Sequence, residues 1–241
     1  MIRKNKFGKV TLSDSAKMLL LKRAKIISGA MEKITALENE ISKCKDESHL
    51  LIYCGATTIS DLDYTEDKVD LEERRQIDVV VNLLGNKLGM KISKFTSEES
   101  ASEREQIKEA FEKADYLQAL VAIRCLDEGV NIPSIQKAFI LASSTNPKEY
   151  IQRRGRVLRK FPGKKYAYIY DFITLPVPFD QIGDLSEEEI LSLRSLPLRE
   201  IERMRDFANV AENSSVADEL IHTIKDYYLL NREDVTFNEF E

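Results

Sequence analysis

The sequence is poor in the residues that build metal centres and covalent cross-links. Its 241 residues include three cysteines, two histidines and no tryptophan. Cys44, Cys54 and Cys125 show no Cys-x-x-Cys spacing, and His49 and His222 lie far apart. An odd number of cysteines, two of them in apolar runs, is typical of reduced core thiols in a cytosolic protein. We therefore expect neither a disulfide scaffold nor a bound metal.

Long hydrophobic runs are also missing. No stretch approaches the roughly 18 apolar residues that a membrane span requires. The basic first residues, 1–6, lead into no apolar segment of the kind found in a signal peptide. We therefore expect an untargeted, soluble and cytoplasmic protein with no membrane partner.

The overall charge excludes a protein that coats nucleic acid along its whole surface. The net charge is -5 and the isoelectric point is near 5.4, so any contact with nucleic acid must be local. One segment reverses the sign: residues 148–165 contain eight lysines and arginines and a single acid, Glu149. Like charges this close repel each other, which favours an anionic partner such as a phosphate.

Short apolar runs alternate with helical patterns through the middle of the chain. Such alternation predicts an α/β fold with a mainly parallel, doubly wound sheet. The runs HLLIYCG at 49–55 and KAFILA at 137–142 are typical of buried parallel strands. The other predicted strands are 90–96, 117–126 and 166–172, and the predicted helices are 69–88, which ends at Gly89, 103–114, and one opening at Asn146-Pro147.

Helical periodicity also marks both ends of the chain. Residues 13–45 predict one long amphipathic helix, which is short for a coiled coil and is expected to pack across the following domain. The tail predicts helices at 190–210 and 216–230. We therefore divide the chain into an N-terminal helical segment at 1–46, an α/β domain at 47–176 and a helical extension at 177–241.

The basic segment has a spacing suited to phosphate. In the sequence QRRGRVLR at 152–159, helical separations of four and three residues place Gln152, Arg156 and Arg159 on one face. The planar arginine fork engages phosphate oxygens bidentately, and Gly155 permits close backbone approach. A solvated helix face with surface ion pairs is the open alternative.

Two segments resemble motifs of a known family. LDEGVNIP at 126–133 resembles motif V, and QRRGRVLR at 152–159 resembles motif VI, of the form Q-R-x-G-R-x-x-R. They belong to the second, C-terminal RecA-like domain of superfamily 2 helicases of the DEAD/DEAH type. The likeness is greatest to excision-repair helicases and restriction-enzyme motor subunits. It covers residues 49–175, and residues 50–55 take the place of motif IV.

The resemblance implies roles in ATP hydrolysis. Arg156 and Arg159 would be arginine fingers that reach the γ-phosphate of ATP, and Gln152 would couple the nucleotide site to the domain interface. Asn131 stands where the family commonly has aspartate. The residues that would line the nucleotide from motif V are Glu128, Gly129 and Asn131.

The resemblance also places two residues on the nucleic-acid backbone. Thr96 and Arg124 fall at or near predicted strand ends, where domains of this family contact nucleic acid. The open alternatives are a strand-end hydroxyl for Thr96 and an ordinary surface cation for Arg124.

The sequence lacks the other half of an ATPase site. It contains no phosphate-binding loop G-x-x-x-x-G-K-[ST], and the Asp-Glu pair that follows a predicted strand, at 127–128, belongs to the segment that resembles motif V and not to a Mg²⁺-binding motif. The resemblance therefore implies a C-terminal motor domain of a helicase or translocase, inactive alone. An N-terminal RecA-like domain, in the same polypeptide or a partner chain, would hold ATP and Mg²⁺. DNA is favoured over RNA as the partner. The alternative is a non-catalytic nucleic-acid-binding or scaffold module with the same fold.

Overall fold

The computed structural model forms two compact units, Met1–Phe172 and Ile173–Glu241, which are described separately. The residues that the structure describes are 2–4, 10–12, 32–55, 71–114, 116–123, 131–142 and 147–231, together with isolated positions from 15 to 30.

The first unit contains seven strands and four α-helices within its described residues. A short antiparallel hairpin comes first, and a five-stranded sheet follows. The strands are β1 (Ile2–Lys4), β2 (Val10–Leu12), β3 (Leu50–Cys54), β4 (Ile92–Phe95), β5 (Ala119–Ile123), β6 (Lys137–Ile140) and β7 (Tyr168–Asp171). The helices are α1 (Glu32–Ile41), α2 (Leu71–Val81), α3 (Ala101–Lys113) and α4 (Pro147–Val157).

The five-stranded sheet is parallel throughout, in the order β4-β5-β3-β6-β7. β3 lies at its centre, and no residue of Leu50–Cys54 is more than 1% exposed. Ile52 is paired with Val121 on one side and with Phe139 on the other. A strand buried on both faces needs an unbroken apolar run, and this confirms the predicted central strand.

Helices cover both faces of the sheet. Leu50, Ile52 and Cys54 share one buried cluster with α1 and α2, while Leu51 and Tyr53 point the other way because side chains alternate along a strand. Along the strand order, the connection from β3 through α2 to β4 runs in one direction, whereas the connections through α3 to β5 and through α4 to β7 run in the other. Right-handed crossovers in opposite directions put their helices on opposite faces, so α3 and α4 lie on the face opposite α2. The predicted doubly wound α/β fold is therefore confirmed.

The N-terminal helix is not continuous as predicted. Several described positions between 15 and 27 are helical, but Gly29 lies in a turn and Ala30 lies outside the helix. α1 then begins at Glu32 and is followed by a 3₁₀ turn, Ser42–Cys44. Glycine has a poor helix propensity, and this explains the interruption. The hairpin of β1 and β2 was also absent from the prediction.

The second unit is helical, as expected of the extension. Its helices are α5 (Phe179–Ile182), α6 (Glu187–Leu193), α7 (Ser195–Ala208) and α8 (Ser214–Tyr227). The helix predicted over 190–210 is therefore two helices, divided at Arg194. The unit has its own apolar cluster, in which Ile224 and Tyr228 are fully buried. The division of the chain into three parts stays a prediction.

No helix in the described part of the chain is both long enough and apolar enough to span a membrane.

Gly89 lies just beyond α2 and its helical continuation, where the sequence predicted a helix end. α2 continues into a π-helical segment, Asn82–Lys87, and the Leu88 amide donates to the Leu83 carbonyl at 3.0 Å. Gly89 then adopts a φ of 68°, a left-handed conformation that disfavours residues with a Cβ.

We expect Gly89→Ala to lower the free energy of unfolding by about 1–2 kcal/mol, because alanine is strained at this φ. A Cβ at Gly89 meets no atom within 4 Å, so the cost comes from the backbone alone. Gly85→Ala is the matched control: its Cβ makes ordinary contact with Ile92 at 3.7 Å, without a left-handed φ. Urea unfolding measures both, and equal midpoints for the two variants would contradict the assignment.

Candidate functional site

The basic segment forms the end of α4 and the turn that follows it. Pro147 begins the helix, as predicted, and Gln152 and Arg156 lie one turn apart on it. The helix ends at Val157, and the Arg159 amide makes only a long bond to the Arg156 carbonyl, 3.5 Å. Arg159 therefore lies just beyond the helix and not on it.

The surface around this helix end is open to a ligand. Gln152, Gly155 and Arg159 are exposed, whereas Arg156 is half-buried. A Cβ placed at Gly155 meets no atom of the described residues within 4 Å, so none of them lies against this position. Val157, which is 1% exposed, anchors the helix in the core below.

A hydrogen bond connects the two segments that resemble helicase motifs. The Arg159 Nη1 donates to Oδ1 of Asn131, across 28 residues of sequence. Both side chains are exposed, so the contact lies at the surface. Glu128 and Gly129 lie outside the described residues, and Asn131 is the member of the motif V set that the structure places. The side-chain carbonyl of Asn131 thus accepts a hydrogen bond from the guanidinium of Arg159, the second predicted finger.

Lys164 also connects these segments, although the sequence analysis assigned it no role beyond its charge. Its Nζ donates to the carbonyls of Val157 at 2.5 Å, Arg159 at 3.1 Å and Pro133 at 3.3 Å. Burial lowers the pKa of this ammonium group. The Pro162-Gly163 pair just before it is a turn signal that could have drawn attention to the position.

The helix end itself stabilises the cluster of cations. Arg154 and Arg156 lie in the last turn of α4, where the helix dipole is negative and terminal carbonyls lack helical partners. The basic segment therefore has favourable electrostatics before any phosphate arrives. The helix end therefore explains why cations are favourable in this segment, but it does not explain why they are arginines and not lysines.

Thr96 lies directly after β4, at the carboxyl edge of the sheet, and is 7% exposed. Its hydroxyl hydrogen-bonds both oxygens of the Glu99 carboxylate, at 3.0 and 3.2 Å, and accepts from the Glu98 amide at 3.1 Å. Arg104 Nη2 donates to the Thr96 carbonyl at 2.9 Å. These contacts are those of a strand-end hydroxyl. The contact of Thr96 with nucleic acid stays a prediction. Arg124 lies outside the described residues.

The described cysteines are buried. Cys54 ends the central strand β3 and Cys44 lies in the 3₁₀ turn after α1, both as free thiols. Burial raises the pKa of both thiols, most strongly that of Cys54. A raised pKa leaves little of the reactive thiolate at neutral pH, which suits the expected role as core residues. Cys125 lies outside the described residues.

The sheet order and the basic helix end agree with the RecA-like α/β domain that the resemblance implies. The model of the helicase conserved C-terminal domain matches residues 32–161, more than half of the chain. The chain belongs to this family, which confirms the resemblance found in the sequence.

Two curated relatives match shorter stretches. The DNA 3'-5' translocase XPB2 of Sulfurisphaera tokodaii is 28% identical over 110 residues, which are 43% of this chain and 24% of that protein. Putative helicase 22 of a Sulfolobus islandicus filamentous virus is 36% identical over 61 residues, which are 25% of this chain and 11% of that protein. The chain thus spans a quarter or less of the relatives it matches.

Among solved structures, the C-terminal part of the Fun30 ATPase domain has a TM-score of 0.46 at 18% identity. The match covers 80% of this chain and 53% of that one.

The contact between Arg159 and Asn131 predicts a measurable energetic coupling. Arg159→Ala, Asn131→Ala and the double variant form a cycle in urea unfolding, and we expect a coupling of about 0.5–1 kcal/mol because both side chains are exposed. The control cycle pairs Arg159→Ala with Asn86→Ala, since Asn86 bonds Asn82 elsewhere on the surface. A coupling near zero in both cycles would show that the contact does not form in solution.

Proposed function

We propose that this chain is the C-terminal motor domain of an ATP-dependent helicase or translocase that acts on DNA. In this proposal Arg156 and Arg159 are arginine fingers that act on an ATP bound mainly by another RecA-like domain. The observation that carries the proposal is the Arg159–Asn131 hydrogen bond, which joins two segments that resemble parts of one nucleotide site.

The family supports the division of labour. The chain belongs to the helicase C-terminal family, and its sequence contains no phosphate-binding loop and no Mg²⁺-binding Asp-Glu pair. A second RecA-like domain would therefore hold the phosphates of ATP and the Mg²⁺ ion. The part left to this chain is the charge that meets the nucleotide from the opposite side.

Arginine is suited to that part of the reaction. As the γ-phosphoryl group is transferred, negative charge is spread over its equatorial oxygens, and a guanidinium that donates to them stabilises the transition state. Arg156 and Arg159 carry the two guanidiniums, and the uncovered backbone at Gly155 leaves room for a phosphate to approach. Gln152, exposed one turn before Arg156, is proposed to couple the nucleotide to the domain interface.

The DNA preference comes from one relative. XPB2 is named a DNA 3'-5' translocase, and we extend DNA, without a direction of movement, to this chain. The backbone contacts are proposed at Thr96 and Arg124. Because the Thr96 hydroxyl is held by Glu99, a direct phosphate contact there requires that carboxylate to move aside.

In the complete motor, as one polypeptide or as two chains mixed, we expect Arg156→Ala to lower nucleic-acid-stimulated ATP turnover by about 10³–10⁵-fold. ATP affinity should change little, because the other domain holds the nucleotide. Steady-state hydrolysis and binding of a fluorescent ATP analogue measure the two quantities. Lys160→Ala is the control, since it removes an exposed cation of the same segment. Turnover near that of the wild type in Arg156→Ala would refute the finger role.

The chain alone is expected to show no ATP hydrolysis and only weak binding to oligonucleotides. Fluorescence anisotropy with single-stranded and duplex DNA and RNA, at low and moderate salt, tests the second expectation. Tight binding that falls steeply with salt, and that Arg156→Ala and Arg159→Ala abolish, would instead identify a nucleic-acid-binding module that uses the basic helix end on the phosphodiester backbone. Hydrolysis by the pure chain would reveal a site outside the proposal.

A further inference from the structure

We infer that Lys164 is a positioning residue that holds Arg159 at the nucleotide-facing end of α4. This inference rests on the proposed function for its catalytic consequence, but the structural part concerns only contacts within the chain. Lys164 lies in none of the segments that resemble helicase motifs.

The ammonium group of Lys164 joins three backbone positions. It donates to the carbonyl of Val157, the last helical residue, at 2.5 Å, and to the carbonyl of Arg159 itself at 3.1 Å. Its third acceptor is the carbonyl of Pro133 at 3.3 Å, two residues after Asn131. One side chain thus fixes the backbone on both sides of the Arg159–Asn131 contact.

A lysine is chemically suited to this position. An ammonium group has three N–H donors and no acceptor, so it can satisfy three carbonyls that converge from different directions. The Val157 carbonyl belongs to the last residue of α4, where carbonyls lack helical partners and the helix dipole is negative, and the Arg159 carbonyl lies two residues beyond it. The side chain is half-buried, and burial lowers its pKa, as expected for an ammonium group taken partly out of water.

A tight turn brings Lys164 back beneath the helix end. The Lys164 amide donates to the Phe161 carbonyl at 3.0 Å, Pro162 occupies the second position of the turn, and Gly163 has a φ of 79°. Proline followed by a glycine with positive φ matches a type II turn. The turn therefore reverses the chain after α4 and delivers the ammonium group to the carbonyls it has just passed.

Arg159 needs such support because the helix does not provide it. It lies beyond the last helical residue and its amide makes only the long bond to Arg156. A finger arginine must be held within a fraction of an ångström of its working position, and a displacement of about 1 Å can cost about 100-fold in rate. In this arrangement Lys164 holds the backbone of Arg159, and Asn131 holds its guanidinium.

The first test is made on the chain by itself. Two-dimensional ¹H–¹⁵N spectra of the arginine side chains, with the Arg159 signal assigned through Arg159→Lys, report whether the guanidinium is held. We expect Lys164→Met to shift the Arg159 signal to that of a solvated arginine, and Lys165→Met, at the exposed neighbour, to leave it in place. An Arg159 signal unchanged in Lys164→Met would overturn the inference.

The second test uses the complete motor. Lys164→Met is expected to lower kcat for nucleic-acid-stimulated hydrolysis by about 10–100-fold, with KM for ATP within about twofold of the wild type, because it displaces a finger without removing it. A lysine that merely caps the helix would change thermal stability but leave kcat intact well below the melting temperature, and that outcome overturns the catalytic part.

Lys164→Arg keeps the test decisive if Lys164→Met does not fold. Arginine retains the cation at the helix end, but its planar fork cannot serve three convergent carbonyls, so we expect a folded chain with a shifted Arg159 signal and a reduced kcat. A wild-type signal and kcat in this variant would refute the positional role. If Arg159→Ala itself leaves kcat unchanged, the proposed finger fails, while the spectra of the isolated chain still decide whether Lys164 holds Arg159.

Discussion

The central strand β3 is the constraint on which the architecture of the first unit depends. It is paired in parallel with β5 on one side and β6 on the other, and its five residues are buried on both faces. The segment after β5 contains Asn131, and the helix after β6 ends at Val157, two residues before Arg159. The two segments therefore start on either side of β3, and the spacing between neighbouring strands sets the distance between their starting points.

A second constraint is electrostatic. Cations gathered in one segment would repel each other, but α4 places them at its carboxyl end, where the dipole and the unpartnered carbonyls are negative. Lys164 donates to the carbonyl of Val157, the last residue of α4, and to that of Arg159 just beyond it, and the Asn131 side chain accepts from the Arg159 guanidinium. These contacts stabilise the basic cluster within the chain.

Local signals in the sequence predicted most of the sheet. The apolar run at β3 required burial on both faces, and Gly89 required a helix end. The capping box of Ser100 and Glu103, in which each side chain bonds the other's backbone amide, was not among the predictions, and α3 begins at Ala101, two residues before the predicted start. These features depend on residues close in sequence. The break at Gly29 and the division at Arg194 were missed, because periodic apolar residues continue across both and outweigh a single weak position in the pattern.

The site was less accessible to the sequence than the fold. Charge and motif spacing identified Arg156 and Arg159, but helical periodicity extended α4 to Arg159, two residues beyond its end at Val157. The contacts from Arg159 to Asn131 and from Lys164 to Pro133 span 28 and 31 residues and depend on how β6 and α4 pack. No local pattern contains that information, although the Pro162-Gly163 turn shows that the chain reverses direction there.

Asn131 has one further consequence for the energetics of the motor. In the chain without nucleotide, its neutral amide occupies the guanidinium that, on the proposed function, must later engage phosphate. On that function, Asn131 and the phosphate would compete for the guanidinium of Arg159. The free energy of the Arg159–Asn131 contact would then be subtracted from the free energy gained when Arg159 binds phosphate. A carboxylate, as the wider family commonly has here, would retain the arginine more strongly through a charged hydrogen bond. On the proposed function, the amide of Asn131 would therefore order Arg159 through a neutral acceptor, which costs less free energy to leave than a charged one.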